Sequence, residues 1–289
     1  MRERAQTFDP RQVMRGDTFE VFHYREPSPG GVEVHHHDFY EVYFLLGGEV
    51  EYWVEGRVLR LTKGDILLIN PMELHRPMVR PDSPVYERIV LWINRDFLEG
   101  LTTKDGPLSR CFDLDLPNRI CPGARERSVL TARMSDLVRE YYSREYGSDQ
   151  FAQGLFLQLM VQLNRLVLRA EGKQEARQEF SPLVEKALQY IGEHIGSPLS
   201  LEEIAGACFV SKYHLAHTFG KEMDISVYRY IMLRRLLLAR HMLQSCETAG
   251  DVSVACGFSD YTSFYRAFRA EYGISPRDFA AGQHIQYSV

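Results

Sequence analysis

Cysteine is scarce in this sequence, and its distribution argues against two classes of protein. Five cysteines occur in 289 residues, at positions 111, 121, 208, 246 and 256. An odd and widely scattered set has neither the paired spacing of a zinc-binding motif nor the pattern of a secreted disulfide scaffold. The sequence therefore predicts a reduced protein of the cytoplasm.

Long apolar runs and a large charge excess are also missing. No uninterrupted apolar stretch approaches the roughly 18–20 residues that cross a bilayer, and Met1–Pro10 is too charged for a signal peptide. The net charge of −5 argues mildly against a nucleic-acid partner. From residue 182 onward, 10 Lys and Arg stand against 11 Asp and Glu, a net charge of −1. DNA binding depends on where the basic groups lie and not only on their sum, so this balance does not exclude it. Because residues 182–289 are nearly neutral, we expect their non-specific DNA binding to be weak.

The length and the hydrophobic pattern predict two folded parts. Short apolar segments separated by Gly, Pro and Asn run from residue 15 to 97, which is typical of a β-barrel or sandwich. The periodicity becomes helical from 128 to 170, and residues 171–175 are polar. We predict an α+β chain with a β-barrel domain at 1–127, a helical dimerisation region at 128–172, a linker at 173–181 and an all-α domain at 182–289.

The last third of the chain contains an internal repeat. Ile204 and Phe219 of the first copy return as Val252 and Phe268 of the second, at offsets of 48 and 49 residues. Each copy has a short helix, a turn and a longer amphipathic helix, which is the helix-turn-helix pattern. The two copies therefore supply two helices that can each enter a DNA groove.

Capping residues predict where these helices begin. Ser200 and Glu203 form a capping box for the first helix, and Ser211 caps the second. Residues on the outward face near the start of a second helix are those that reach base edges in a major groove. On this basis we expect DNA contacts from Lys212, Tyr213, Ala216 and His217 in the first copy and from Tyr261, Thr262, Ser263, Tyr265, Arg266 and Arg269 in the second.

The chemistry of these side chains differs. Arg266 can form two hydrogen bonds to a guanine, whereas Ser, Thr and Tyr hydroxyls more often bind phosphates. A packing role stays open for Tyr213 and Tyr265, and a solvated one for His217.

Between the two copies, a helix is predicted from about Ser226 to Ser245. Its roughly 20 residues would extend about 30 Å, close to the ~34 Å between successive major grooves.

Residues 182–282 resemble the AraC/XylS family of transcription regulators. The matching motifs are Leu-Glu-Glu-Ile-Ala at 201–205, Arg234 with Ala239, Gly257-Phe258-Ser259-Asp260, Phe264, Arg266-Ala267-Phe268 and Gly273-Ile274-Ser275-Pro276. The resemblance implies DNA readout by the two faces just described. Phe209 and Asp224 stand where glycine is usual, although Asp tolerates the left-handed conformation better than most residues. Ala216 gives the first reading helix little with which to form hydrogen bonds.

Histidines cluster early in the β region. His35, His37 and Glu41 share parity and would face one side of an extended strand, and His75 follows later in the chain. This spacing resembles the cupin motif of His-x-His, three residues, Glu, six residues and Gly, followed by a second motif ending in His. In metal-binding cupins, the matching three His and Glu hold a divalent metal, and imidazole and carboxylate suit Zn, Fe, Mn or Ni. Asn70 and Met72 depart from the second motif.

A small polar effector, such as a sugar, is the favoured ligand of this domain. The expected ligand-binding residues are His35, His37, Glu41, Tyr43, His75, Glu87 and Ile89. Glu87 and Ile89 correspond to pocket positions of sugar-sensing members of the family. Polar side chains beside apolar walls suit a carbohydrate, whose hydroxyls need hydrogen-bond partners and whose CH faces need stacking.

These features predict a ligand-responsive transcription regulator rather than an enzyme. The β domain would bind a small molecule, and the paired helix-turn-helix units would read promoter DNA. The apolar stripe from Phe151 to Leu166 is the expected surface of a homodimer, with packing against the barrel as the alternative. The resemblance also allows contact with RNA polymerase, and no membrane role is expected. Two other interpretations stay open: a metal-dependent cupin enzyme with an appended DNA-binding part, and a barrel that only holds the dimer together.

Overall fold

The chain folds into two compact units, Met1–Gln178 and Glu179–Val289. The computed structural model describes residues 13–26, 32–79, 86–170, 180–244 and 248–282. Within these residues, the first unit combines β-sheets with helices and the second contains helices. The predicted α+β class is thus confirmed.

The strands of the first unit form two larger antiparallel sheets and one short hairpin. They are β1 (Phe19–Glu26), β2 (Tyr40–Gly47), β3 (Val50–Val54), β4 (Arg57–Leu61), β5 (Ile66–Ile69), β6 (His75–Val79), β7 (Tyr86–Ile93), β8 (Thr102–Thr103), β9 (Gly106–Pro107) and β10 (Arg119–Ile120). The five-stranded sheet has the order β1–β7–β2–β5–β10, and the three-stranded sheet has the order β4–β3–β6. Strands β8 and β9 pair separately.

The two larger sheets share a core because successive side chains point to opposite faces of a strand. On β2, Tyr43 and Leu45 pack between the sheets, where they meet Tyr52 and Val54 of β3. The predicted barrel is therefore observed as two facing sheets rather than one closed ring, as far as the described strands show. The alternate residues of β2, such as Phe44, belong to a second core on the other face of the five-stranded sheet.

Helices cover that other face. The helices of the first unit are α1 (Arg95–Gly100), a 3-10 helix (Leu108–Phe112), α2 (Ala124–Tyr141) and α3 (Ser148–Ala170). Phe156 of α3 stacks on Phe19 of β1, with ring centroids 4.6 Å apart. Helices α2 and α3 account for the helical region predicted from 128 to 170, and α2 begins four residues before residue 128.

One helix, Ser148–Arg169, is long and apolar enough to cross a membrane by composition, with a mean hydropathy of 1.2. A single helix of this kind is weak evidence for a membrane protein. Phe156, Met160, Leu163 and Val167 lie buried in the core against the sheet. This side of α3 therefore packs as the core helix of a folded domain does.

The apolar stripe expected on α3 is divided between two environments. Leu159 is buried in the core, and Leu155 and Leu166 are partly buried against it. Phe151, at the start of the stripe, is 58% exposed. The part of the stripe that packs on the sheet agrees with the alternative interpretation, in which the stripe packs against the barrel. The exposed part is accessible to a partner in the described structure.

Helices α4 to α10 build the second unit. They are α4 (Pro182–Glu193), α5 (Leu201–Ala207), α6 (Lys212–Met223), α7 (Val227–Gln244), α8 (Ala249–Ala255), α9 (Tyr261–Tyr272) and α10 (Pro276–Ala280). Ser181 caps α4 by accepting from the Val184 N–H, with Pro182 in the first turn, as the sequence predicts. Most of the predicted linker, together with Ser245 and Cys246, lies outside the described residues. The boundaries of the predicted segments stay predictions.

Candidate functional site

The first helix-turn-helix unit is formed by α5 and α6. Ser200 Oγ accepts from the Glu203 N–H at 3.2 Å, and Glu203 Oε2 accepts from the Ser200 N–H at 2.8 Å, which confirms the capping box. Ser211 Oγ accepts from the His214 N–H at 3.2 Å. Leu215 and Phe219 are fully buried, so the opposite side of α6 faces outward. Sequence reasoning located this unit correctly because caps and helical periodicity are local signals.

The second unit is formed by α8 and α9, and its cap differs from the expected alignment. Ser259 follows Ser211 at the repeat offset of 48 residues, but Asp260 caps α9 by accepting from the Ser263 N–H at 2.8 Å. The capping residue of the second copy therefore lies 49 residues after that of the first copy. In the preceding turn, Gly257 lies 48 residues after Phe209. One additional residue between turn and cap explains why the repeat offset changes within the copy.

The two turns have the same backbone conformation with different residues. Phe209 has φ +61° and Gly257 has φ +75°, both in the left-handed region. The Phe209 side chain is 87% exposed, and the Lys186 ammonium lies 4.3 Å from its ring centroid. The phenylalanine at a usual glycine position therefore leaves the first turn intact. Asp224 likewise adopts φ +51° at the end of α6.

The outward face of α6 offers few charged groups. Tyr213 is 78% exposed, and Ala216 and His217 are also exposed. Lys212 is half-buried, and its Nζ lies 2.5 Å from Glu202 Oε1. A surface ion pair of this kind contributes little because water screens it, so exchange of Glu202 for a DNA phosphate costs little.

The outward face of α9 is more strongly cationic. Tyr261, Thr262, Arg266 and Arg269 are exposed, while Phe264 and Phe268 are buried. Ser263 is exposed, but its hydroxyl donates to Asp260 at 2.8 Å. Tyr265 is half-buried and its hydroxyl accepts from Arg269 at 3.4 Å. Arg266 thus has the exposure that a contact with a base edge requires.

Helix α7 joins the two units and contacts a recognition helix at each end. Near its start, Tyr230 packs edge-on against Phe219 of α6, with ring centroids 5.8 Å apart. Further along, Leu236 and Leu243 share a core with Phe264 of α9. The helix has 18 residues, which at 1.5 Å per residue gives about 27 Å. The recognition helices are therefore held at successive positions along one rigid element.

A polar cluster of His35, His37, Glu41 and His75 lies in the first unit, and all four side chains are buried. His37 Nε2 lies 3.5 Å from Glu41 Oε2. One ligand atom from each of His37, Glu41 and His75 lies within 4.8 Å of the others. The His35 ring centroid is 4.4 Å from that of His75. The structure therefore brings together the four residues that the sequence grouped.

The environment of this cluster opposes positive charge on its histidines. Burial lowers the pKa of His35 to about 4, and burial with the neighbouring His35 and His37 lowers the pKa of His75 well below its usual value. Burial alone would raise the pKa of Glu41, but interactions with His37, His35 and Trp92 together outweigh burial and lower that pKa. Glu41 also accepts hydrogen bonds from Trp92 Nε1 at 3.0 Å and from the Tyr52 hydroxyl at 3.4 Å.

Aromatic and basic side chains extend the polar region between the sheets. The hydroxyls of Tyr43 and Tyr86 lie 2.5 Å apart. The Arg88 guanidinium lies 4.2 Å from the Tyr86 ring centroid. We had expected Tyr43 here but not Tyr52, Tyr86, Arg88 or Trp92. Parity on β3 and β7 could indicate these residues only once two things were known: the pairing of β7 with β2, and the packing of the β3 sheet against the β2 sheet.

Glu87 and Ile89 lie elsewhere, contrary to our expectation. Ile89 belongs to the core beneath α2 and α3, on the opposite face of the sheet from Tyr43. Glu87 shares its parity and binds His23 Nε2 at 2.9 Å. The register pairs Val90, not Ile89, with Tyr43. A one-residue difference in register exchanges the two faces of a strand, which is why these residues are separate from the cluster.

Asn70 explains how the chain accommodates one departure from the cupin pattern. Its side-chain oxygen accepts from the Met72 N–H at 2.9 Å, and its amide nitrogen donates to the Phe112 carbonyl at 3.0 Å. These bonds stabilise the turn that precedes His75 without the usual proline.

Two families match the chain. Residues 19–160 match the AraC-like ligand binding domain, and residues 204–282 match a helix-turn-helix domain. Among curated relatives, the HTH-type transcriptional activator RhaS of Escherichia coli (strain K12 / DH10B) is 23% identical over 250 residues, which cover 86% of this chain and 87% of RhaS. The likeness therefore spans both units.

Solved structures also match parts of the chain or most of it. A transcriptional regulator with an AraC-type DNA-binding domain from Chromobacterium violaceum is 30% identical with a TM-score of 0.33, and the match covers 37% of this chain and 96% of that one. ToxT from Vibrio cholerae O395 is 13% identical with a TM-score of 0.36, and the match covers 92% and 98%. At these TM-scores the matches provide no correspondence between individual residues.

Proposed function

Because the chain belongs to the AraC family of transcription regulators, we propose that α6 and α9 read successive segments of a promoter under the control of a small polar effector. The observation that carries this proposal is the pair of outward faces on recognition helices held by one connecting helix. Tyr213, His217, Arg266 and Arg269 are among the exposed groups able to contact bases or phosphates there. The cationic face of α9 would dominate electrostatic binding.

Selection of bound duplexes from a random pool by the full-length chain tests the DNA part. We expect an enriched motif with two short blocks whose centres are about 10–10.5 base pairs apart, one helical turn of DNA. Arg266→Ala should weaken one base preference within the motif. Arg277→Ala is the matched control, since Arg277 is an exposed arginine on α10 and belongs to neither recognition helix. A motif with a single block, or no enrichment, would contradict the paired-reader proposal.

The effector would bind between the sheets of the first unit, where Glu41, Tyr43, Tyr52 and Tyr86 supply polar atoms. Hydroxyl groups of a sugar or a similar metabolite suit these partners, and the aromatic rings suit its CH faces. Because Trp92 donates to Glu41, binding at this position should change tryptophan fluorescence. A thermal-shift screen of sugars and sugar acids, followed by fluorescence titration of the hits, tests this assignment. Glu87→Gln, on the other face, should leave the titration unchanged.

Several further features of the regulator are part of the same proposal. Two chains would associate through the exposed part of α3. The dimer would activate transcription, as RhaS is named to do, and would contact RNA polymerase. It would act in the cytoplasm. A ligand would control this assembly by binding one arrangement better than another. Catalysis is not part of the proposal, since the matching families are described by ligand binding and by the helix-turn-helix. Turnover by the isolated β domain would revive the enzyme alternative.

A further inference from the structure

The segment that leads into the first helix-turn-helix copy lies directly against the second copy. A Cβ on Gly196, between α4 and α5, would lie 2.7 Å from the Ala255 carbonyl oxygen. A Cβ on Gly257, after α8, would lie 2.8 Å from the Ile195 carbonyl oxygen. Gly257 also has φ +75°, whereas Gly196 is not among the described residues with positive φ, so at Gly196 the short distance alone opposes a side chain. The two segments therefore meet backbone to backbone, which glycine permits.

Arg235 of α7 closes this contact with two charged hydrogen bonds. Its Nε donates to the Ile195 carbonyl oxygen at 3.1 Å, and its Nη2 donates to the Ser197 carbonyl oxygen at 2.6 Å. A planar guanidinium holds two acceptors in a fixed geometry, which the ammonium group of a lysine does not. The guanidinium carbon also lies 5.9 Å from the centroid of the Phe258 ring, next to Gly257. Arg235 therefore joins α7, the segment before α5 and the turn of the second copy.

Arg235 also gives the first copy a second attachment to α7. The first copy already contacts α7 near its start, where Phe219 of α6 packs edge-on against Tyr230. Arg235 lies five residues further along the helix, which is about 7.5 Å. Two attachments separated along a helix resist rotation of the first copy better than one does.

Rotation between the copies matters because the two recognition helices read distant points on DNA. Successive major grooves lie about 34 Å apart, so a rotation of about 10° would displace one recognition helix by about 6 Å. This displacement is nearly two base pairs, at ~3.4 Å for each. A small change in the angle between the copies would thus change the spacing that they recognise.

We infer that Arg235, together with the close approach at Gly196 and Gly257, fixes the spacing at which α6 and α9 read DNA. The inference rests on the proposed function, because it assigns the residue that sets the distance between the two readers. Arg235 acts on α6 through the segment before α5 and is a positioning residue rather than a DNA contact.

Pulsed electron paramagnetic resonance tests the positioning without DNA. Tyr213 and Tyr261, both exposed near the start of a recognition helix, are replaced by a ketone-bearing amino acid that takes a spin label, so the native cysteines stay unchanged. The full-length chain should give one narrow distribution of distances between the labels. Arg235→Met should widen this distribution or shift its centre by several ångströms. An unchanged distribution would overturn the inference.

A second variant and two matched controls make this measurement decisive. Gly196→Ala separates the two segments and leaves Arg235 in place, so it should widen the distribution even if Arg235→Met fails to fold. Arg240→Met controls for the loss of an α7 arginine, since the Arg240 guanidinium lies over aromatic rings of α9 and α10. Gly192→Ala controls for the added methyl group, because a Cβ there meets no atom within 4 Å. Both controls should keep the narrow distribution.

DNA binding tests the functional consequence. Fluorescence anisotropy compares duplexes that carry the two selected blocks at the selected spacing with duplexes that have one base pair added or removed between the blocks. Wild type should lose about 10-fold in affinity for one base pair, whereas Arg235→Met and Gly196→Ala should lose about 3-fold or less. If the variants instead lose affinity equally at every spacing, they merely contain less folded protein, and the positioning role is overturned.

Two further readouts separate the alternatives. The slope of log affinity against log salt concentration should be the same for wild type and Arg235→Met, because a positioning residue neutralises no phosphate. A slope smaller by about 1 would make Arg235 a phosphate contact and overturn the inference. A wild-type chain without a spacing preference would contradict the paired-reader proposal, and the distances between the labels would then still decide whether Arg235 holds the two copies together.

Discussion

Replacement of Gly257 by alanine should destabilise the helical unit far more than its small size suggests. Gly257 has φ +75°, and a Cβ there would lie 2.8 Å from the Ile195 carbonyl oxygen and 2.9 Å from the Ser197 carbonyl oxygen. It would also lie 2.9 Å from Arg235 Nη2. Arg235 donates to these same carbonyls, with its Nε 3.1 Å from Ile195 O and its Nη2 2.6 Å from Ser197 O. The methyl group would therefore disrupt a hydrogen-bonded contact with the segment before α5.

The magnitude follows from three contributions. The left-handed conformation costs a residue with a Cβ about 1–2 kcal/mol. Loss of one hydrogen bond from the charged Arg235 costs about 1.5–3 kcal/mol. Alanine also restricts the unfolded chain, which returns about 0.4–1 kcal/mol to the folded state. The free energy of unfolding should thus fall by about 2–4 kcal/mol.

The assay is urea unfolding of the full-length chain, followed by circular dichroism at a helical wavelength and by tryptophan fluorescence. Gly257→Ala should shift the helical transition and leave the fluorescence transition of the first unit in place. The matched control is Gly206→Ala, since a Cβ at Gly206 in α5 meets no atom within 4 Å. That control should raise stability by about 0.5–1 kcal/mol. A loss of less than about 1 kcal/mol for Gly257→Ala would refute the steric reasoning.

Three further substitutions test other parts of the chain. Arg266→Ala should weaken promoter binding by about 1–3 kcal/mol without changing stability, and fluorescence anisotropy with footprinting would show an unchanged site if the prediction is wrong. Glu41→Ala should abolish the effector response in a reporter assay while DNA binding stays measurable; a normal response would place the ligand elsewhere. Ser200→Ala should lower the free energy of unfolding by about 1 kcal/mol through loss of the cap, and Ser259→Ala, which caps no helix, should leave it nearly unchanged.

The helical unit was predictable to the level of single caps because its signals are local. Ser200 and Ser211 begin helices through hydrogen bonds that span three residues, so neighbouring sequence suffices to find them. The cap at Asp260 is harder to predict, because Ser259 is an equally good capping residue one position earlier. Phe209 shows the reverse case, since propensity disfavours it in a left-handed turn, yet backbone hydrogen bonds close that turn, from the Phe209 N–H to the Gly206 carbonyl at 3.0 Å and from the Val210 N–H to the Ala205 carbonyl at 3.0 Å.

In the ligand region, the sequence predicted which residues of one segment share a face. It did not predict which residues of different segments meet. Parity alone places His35, His37 and Glu41 on one side of an extended chain. Glu87 and Ile89 were assigned to the wrong face because the register between β7 and β2 depends on pairing over more than 40 residues. The same pairing brings Tyr86, Arg88 and Trp92 to the interior, and no local signal distinguishes them.

The sequence by itself determined the two-part organisation, the α+β class and the paired helix-turn-helix units, because periodicity, capping and turn chemistry act over a few residues. Only the tertiary structure decided which side chains meet between the sheets and why Gly257 tolerates no side chain where Phe209 has one. These outcomes depend on register and on contacts between distant segments. Such contacts are fixed by the collective packing of the core and not by any local pattern.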